Sequence, residues 1–349
     1  MIALSVIIPT YNKADYLDLT LASYEHQTFA DYELVVVDDG STDDTKAVVE
    51  RHARNLNIVY QYQANSGRSM ARNTAIGRAS GRVLVFSDDD RMVAPDFLAE
   101  HARSNEDDGV QVLGAQQGIL SFWRPDLPIS ATYLSNLIAR CPELADARSR
   151  RLVTADDLRE RFGDTLARWR MPEYWWDGFC APILRRYSEK LVDLSVPWVL
   201  GTTSNLSAPR QRVLEVGAFD VGFRGWGLED LDLCYRLHHA GSKTVINESA
   251  INYHQVHPTA HEATARHAQW TRNLLYMLNK YDALDMALYG YVFTRPEWAD
   301  VGRLNDWLRE LAPAGAVLRR ELQRAYQDLV RIRIQSFIGS CSVRIPGEW

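Results

Sequence analysis

Residues 4–10 (LSVIIPT) form a short β-branched run without charge, as expected of a parallel strand buried on both faces. Leu17, Leu21 and Tyr24 follow at helical spacing. A second apolar run, Glu33 to Val37, ends in Asp38-Asp39-Gly40, and Ser41-Thr42-Asp43-Asp44 then offers caps for a helix through about Arg54. The pattern predicts a third strand over 57–63, a helix over 69–79, a fourth strand over 82–86 that stops at Asp88-Asp89-Asp90, and a fifth over 110–115. This alternation implies βαβ crossovers and an α/β, Rossmann-like, doubly wound and mostly parallel sheet. Ligands bind such sheets outside the carboxyl ends of the strands. Asp38-Asp39 and Asp88–Asp90 stand at two such ends, so both are expected to face one crevice.

Beyond the sheet pattern the chain divides into a second part over 116–260 and a third over 261–349. Residues 120–199 are rich in aromatics and arginine, with Trp123, Trp169, Tyr174, Trp175, Trp176 and Trp198, and read as a helical insertion. Its aromatics either pack on the sheet or form a platform for sugar rings. From 262 to about 340 the pattern is helical, with breaks around Pro296 and Pro313. VLRRELQRAYQDLVRIRIQSFI carries apolar residues at helical spacing with arginines between them. A helix packed on the catalytic part or on a second subunit, giving a homodimer, is one outcome, and peripheral contact with an anionic membrane is the other.

A net charge of −6 argues against a nucleic acid polymer as partner, since phosphate binding needs clustered Lys and Arg. The four cysteines (Cys141, Cys180, Cys234, Cys341) are scattered and form neither a zinc pattern nor a disulfide framework. A reducing cytoplasm is the expectation. The opening segment lacks the basic and small-residue features of a leader and reads as a first core strand. No window has the roughly 18 to 20 apolar residues of a membrane span.

The acidic residues carry the candidate chemistry. Asp88 and Asp90, two apart at a strand end, can meet one divalent cation and its diphosphate, because hard cations prefer carboxylate oxygens. Burial makes such acids costly unless a cation or hydrogen bonds satisfy them. Asp38 and Asp39 can accept hydrogen bonds from a base or a ribose, although Asp39 can equally cap its turn. Leu228, Leu231, Tyr235 and His238 mark an apolar helical stripe, placing Glu229 and Asp230 in a first turn that favours ionised carboxylates. Asp230 is the candidate general base and Glu229 its support, with a surface charge pair as the plain alternative. Gly225-Trp226-Gly227 suits a ring lining a site. His254 is the candidate third metal ligand and His257 its rival, while a structural hydrogen-bonding role is the alternative for both.

SVIIPTYN at 5–12, VVVDDGSTDDT at 35–45, Asn65-x-Gly67 with MARNTAI at 70–76, and SDDD at 87–90 together resemble the family 2 glycosyltransferases of GT-A fold. The resemblance implies a nucleotide pocket lined by Pro9, Thr10, Tyr11 and Asp38 or Asp39. It brings Asn65, Gly67 and Arg72 near the base or diphosphate, with Asp88 and Asp89 beside them. It implies Mn2+ or Mg2+ on Asp88, Asp90 and a late histidine. Arg91 departs from the pattern, because many relatives carry another acid there. GWGLEDLDLCYRL at 225–237 resembles the acceptor-side motif, with Trp226 and Gly227 lining the site, and Gly201–Asn205, including Thr203 and Asn205, resembles the neighbouring loop around sugar and acceptor. The implied activity is inverting transfer from a UDP-sugar to a hydroxyl of a glycan, lipid-linked sugar, peptide or small molecule. Retention remains open by the same analogy. The rivals are a catalytically silent nucleotide-sugar-binding scaffold and, more remotely, a phosphatase-like hydrolase.

Overall fold

Alternate residues of the same strands feed two different cores. Ile7, Val35, Val37, Leu84 and Phe86 point to one face of the sheet, while Val6, Ile8, Leu34, Val36, Val83 and Val85 point to the other. A strand buried on both faces has no polar side, which is why these runs show no alternation in sequence. The computed structural model describes residues 2–145, 147–171, 174–258, 263–295 and 300–340.

The strands are β1 (Leu4–Thr10), β2 (Tyr32–Asp38), β3 (Ile58–Tyr62), β4 (Val83–Ser87), β5 (Arg91–Val93), β6 (Val110–Ile119), β7 (Phe122–Trp123), β8 (Arg150–Arg151), β9 (Asn205–Pro209) and β10 (Lys243–Gln255). The helices are α1 (Ala14–Tyr24), α2 (Thr45–His52), α3 (Arg68–Arg78), α4 (Phe97–Ser104), α5 (Ala131–Arg140), α6 (Ala155–Glu160), α7 (Phe162–Trp169), α8 (Trp175–Tyr187), α9 (Arg210–Glu215), α10 (Glu229–His239), α11 (Ala263–Lys280), α12 (Leu284–Phe293), α13 (Val301–Leu311) and α14 (Ala316–Ser340). Eight strands form one sheet in the order β3-β2-β1-β4-β9-β6-β10-β5, and β7 pairs with β8 apart from it. Helices α1, α2 and α4 cover one face, and α3, α8, α10, α11, α12 and α14 cover the other.

The first four parallel strands fall where the apolar pattern puts them. The sheet continues with elements the pattern misses. β9 lies antiparallel between β4 and β6, and β5 lies antiparallel to β10. β9 escapes notice because it alternates apolar Leu206 and Ala208 with polar Asn205 and Ser207. β10 is interrupted between Asn247 and Asn252, where its pairing with β6 shifts register.

In the insertion, Trp123, Trp169, Trp176 and Trp198 are buried, so most of its aromatics are packing residues; Trp175 is exposed. Helices α5, α6 and α7 build a third core against α1 and β5. Ion pairs fasten both α2 and the insertion to α1. Asp18 accepts from Arg51 at 2.6 Å, His52 at 2.9 Å and Arg151 at 2.8 Å, and Glu25 accepts from His52 at 2.7 Å and Arg159 at 3.1 Å. Burial alone would raise the Asp18 carboxyl, but its hydrogen bonds to His52, Arg151 and Arg51 hold it well below the usual range.

In the C-terminal part the break at Pro313 separates α13 from α14, while Pro296 and Cys341 lie outside the described residues. A further break over 281–283 carries no Gly or Pro signal. It puts Tyr281 where its hydroxyl reaches Asp232 at 2.6 Å. Val330 and Ile334 of α14 join the main core. Among the described residues no helix is long and apolar enough to cross a membrane.

Candidate active site

The register of β1 and β2 sets Thr10 beside Asp38 at the carboxyl end of the sheet. Thr10 is buried and Tyr11, one residue on, is 49% exposed, leaving its ring free at the crevice edge while Pro9 is half-buried. Asp38 takes the N–H of Ser41 at 2.7 Å and the Tyr60 hydroxyl at 2.9 Å. Asp39 takes Gln63 Nε2 at 2.7 Å and the N–H groups of Ser66 and Gly67 at 2.9 Å each. Asp38 thus braces its own turn against β3, while Asp39 moulds the loop that leads into α3. A Cβ on Gly40 would stand 2.9 Å from the Asn65 nitrogen, and Gly40 has φ +91°, so the turn demands glycine there.

The acidic triplet at the end of β4 splits three ways. Asp88 is half-exposed and meets Arg72 Nη2 at 3.1 Å. The Asp89 backbone carbonyl accepts from Thr20, and burial together with the charge of Asp90 pushes its carboxyl up to about 6 against the pull of Lys13. Asp90 is buried and meets Lys13 Nζ at 2.5 Å, His257 Nε2 at 2.9 Å, Arg91 Nε at 3.6 Å and His254 Nε2 at 3.8 Å. Burial would raise the Asp90 carboxyl, yet these cationic and hydrogen-bonding neighbours, Lys13 foremost, hold it well below its ordinary value.

Strand pairing explains this gathering. β10 sets His254 opposite Arg91 of β5, next to Asp90, and Gln255 N–H donates to the Asp90 carbonyl at 2.9 Å. Ligand atoms of Asp90, His254 and His257 lie within 4.8 Å of one another. Burial, with Arg91 adding to it, depresses His254 well below its ordinary value and so favours the neutral, ligand-competent ring. The donor set fits a divalent cation, and the Lys13 ammonium already marks the point as one that attracts positive charge. Asp88, expected beside Asp90 on the ion, is turned toward Arg72 and lies outside this group.

On the other side of the crevice, three of the four residues 225–228 take positive φ: Gly225 (+74°) and Gly227 (+97°) flank the aromatic, and Leu228 (+74°) is a bulky residue in a region it rarely adopts. Helix α11 pins this loop. Gln269 Oε1 accepts from Trp226 N–H at 2.8 Å, and Asn273 Nδ2 donates to the Gly227 carbonyl at 2.8 Å. The tight turn delivers Glu229 and Asp230 to the start of α10. Glu229 is buried and takes Arg72 Nη1 at 3.1 Å, with Arg68 at 3.7 Å. Burial acts to raise its carboxyl, but Arg68 and Arg72 overcome this and lower it. Asp230 is half-buried, and burial with the charge of Glu229 pushes it up to about 7.

In the 201–205 loop Thr203 is buried, and Ser204 donates to Gln116 at 3.0 Å. Asn205 is not brought to the crevice. Its amide is spent inside the sheet on the carbonyls of Ala115 (2.8 Å) and Ala250 (2.9 Å), and its Oδ1 lies 2.9 Å from His101.

The family model of glycosyl transferase family 2 matches residues 5–157, and that of the N-terminal domain of galactosyltransferase matches residues 192–262. Validoxylamine A glucosyltransferase of Streptomyces hygroscopicus subsp. jinggangensis (strain 5008) is 31% identical over 330 residues, 88% of this chain and 71% of that protein. The chain belongs to glycosyl transferase family 2. The uncharacterized glycosyltransferase YfnE of Bacillus subtilis (strain 168) is 28% identical over 282 residues, 80% of this chain and 70% of that one. Two solved structures share the fold. S. aureus TarS 1–349 in complex with UDP has TM-score 0.55 and 17% identity, covering 98% of this chain and 93% of its own. Mannosyltransferase PcManGT from Pyrobaculum calidifontis, in complex with GDP-Man and Mn2+, has TM-score 0.53 and 18% identity, with 97% and 86% covered. The fold is of the GT-A type.

Within this family 2 glycosyltransferase the sequence pattern left Lys13 and the pair Arg68 and Arg266 unmarked. Lys13 follows the strand-end residues as an ordinary surface-type lysine. Its partner lies 77 positions away. Tyr174, one of the insertion's aromatics, receives Arg91 Nη1 at 3.3 Å and so ties the insertion to the triplet's neighbour.

Proposed function

We propose that this glycosyltransferase moves a sugar from a nucleoside diphosphate donor, a UDP-sugar, to an acceptor hydroxyl, with inversion, Asp230 as base and a divalent cation at Asp90. The carrying observation is the buried Arg72 guanidinium, which bonds Asp88 at 3.1 Å on one side and Glu229 at 3.1 Å on the other. Strand-end acids and α10 acids therefore belong to one crevice. Support for the donor class comes from the fold neighbours: TarS was solved with UDP and with UDP-GlcNAc, and PcManGT with GDP-Man and Mn2+.

Asp90, His254 and His257 would hold the cation; the mixed carboxylate and imidazole set suits Mn2+, with Mg2+ the alternative. When bound, the ion neutralises the departing diphosphate. Tyr11, the turn held by Asp38 and the loop held by Asp39 receive the nucleoside. The Asp230 carboxylate takes the proton of the acceptor hydroxyl as its oxygen bonds to the anomeric carbon. The bond from that carbon to the phosphate oxygen breaks, and its electron pair leaves with the nucleoside diphosphate. Glu229, kept ionised by Arg72 and Arg68, makes Asp230 a stronger base than an ordinary aspartate.

Asp230→Asn is the direct test. Loss of this base should lower transfer by about a hundred- to ten-thousand-fold while UDP binding, read by thermal shift, stays as in the parent. Surviving turnover would refute the base assignment. A silent nucleotide-sugar-binding protein would hydrolyse no donor even with Mn2+ present, which separates that reading.

A further inference from the structure

Arg68, at the start of α3, and Arg266, on α11, come from sequence positions far apart and both reach the turn that carries Trp226 and Glu229, Arg266 against Trp226 and Arg68 toward Glu229. The Arg266 guanidinium lies 4.4 Å from the ring centroid of Trp226. No carboxylate among the described residues pairs with it, and its nearest charged influence is another cation, Arg68. Arg68 is exposed and reaches Glu229 only at 3.7 Å, where Arg72 already holds the same oxygen at 3.1 Å. The two guanidiniums repel, and only Arg68 has a carboxylate within reach, one that Arg72 already engages; the partial burial of Arg266 adds to the cost of its charge. Arginine forks match planar or tetrahedral oxyanions better than any other side chain does. The partly exposed Trp226 ring beside them offers a flat face for a sugar.

We infer that Arg68 and Arg266 form an anion subsite over Trp226, so that the acceptor is a saccharide bearing a phosphate or a carboxylate. Assigning the anion to the acceptor rests on the transfer reading above. The donor diphosphate is the other source of the same chemistry, but the triplet side has its own cations in Lys13 and Arg91. The subsite instead adjoins Glu229 and the Trp226 loop, on the acceptor side of Arg72.

The test is a calorimetric titration of the full chain, with and without saturating UDP, using glucose, glucose 6-phosphate and glucuronate as probes. Either anionic sugar should bind about tenfold more tightly than glucose, as expected for one charge-assisted contact pair. Arg266→Gln and Arg68→Gln should each erase that preference, Arg266→Lys should restore part of it, and UDP affinity should stay within about twofold of the parent. Equal binding of glucose and the anionic sugars overturns the inference. So does a fall in UDP affinity in both Gln variants, which would assign the guanidiniums to the donor diphosphate. Because the readout is binding, a failed Asp230 test leaves this result interpretable.

Discussion

The ammonium of Lys13 stands 2.5 Å from a carboxylate oxygen of Asp90, on the atom that would serve a divalent cation, and 2.6 Å from His257 Nε2. An ammonium and a dication cannot share those donor atoms. Lys13 is therefore a counterion that a cation at the proposed site would have to displace. Lys13→Met should raise Mn2+ affinity of the nucleotide-free protein by about tenfold, the scale of one partly screened charge contact. Paramagnetic resonance of free Mn2+ measures it directly. Unchanged or weaker Mn2+ binding would mean that Lys13 does not compete at this point.

On the proposed mechanism the pair Glu229 and Asp230 should set the pH dependence. Asp230 is pushed up to about 7 by burial and by the negative charge next to it. As the proposed base it would act in its ionised form, so kcat/KM should climb as pH rises through about 7 and level off above. Glu229→Gln removes the neighbouring charge while Arg72 stays positive, which should move this acid limb to lower pH by about one unit. A limb that stays in place would show that another group limits the rate.

Asp18 tests how the insertion is held. Its carboxyl lies well below the ordinary range because of His52, Arg151 and Arg51. A depressed folded value means that the contribution is present above the unfolded pKa of about 4 and fades as pH falls below it. Asp18→Asn should lower stability by about 2 kcal/mol at neutral pH, less than the 3–5 kcal/mol of a fully buried pair because Arg51 is half-exposed. Part of that deficit should vanish by pH 3, and the rest only as pH falls through the depressed folded value. Urea denaturation at the two pH values reads it, and an equal deficit at both would contradict an ionic origin.

The legible part of this molecule is what strand burial and loop turns write locally. Val35 to Val37 and Val83 to Phe86 announce buried strands, and the acids after them mark strand ends. The Glu229 and Asp230 start of α10 is equally local. What stays hidden depends on partners far along the chain. Asn205 looks like a polar loop residue, yet His101 and two carbonyls absorb it inside the sheet. Lys13 looks like a surface lysine, yet its position is set by β10 returning 244 residues later with His257. Arg91 looks like a break in the acidic pattern, but the β5 to β10 pairing makes it a counterion to Asp88 and Asp90.

Arg72 offers the sharpest test of the crevice as one unit. Its planar fork reaches two carboxylates at once, Asp88 and Glu229, and it packs on the Phe219 ring at 5.4 Å. Lysine carries the same charge but has a single nitrogen and cannot span both. Arg72→Met leaves Glu229 buried beside only the more distant Arg68, and should lower stability by about 3 kcal/mol. Arg72→Lys should keep most of the melting temperature yet lose about a hundredfold in kcat, because Glu229 no longer holds Asp230 in place against the donor side. The decisive measurement is a double-mutant cycle on kcat between Asp88→Asn and Glu229→Gln. If Arg72 couples them, the two losses should fall short of additive by about 1 kcal/mol or more. Strict additivity would mean that the strand-end acids and the helix acids act independently, and that the guanidinium between them is only packing.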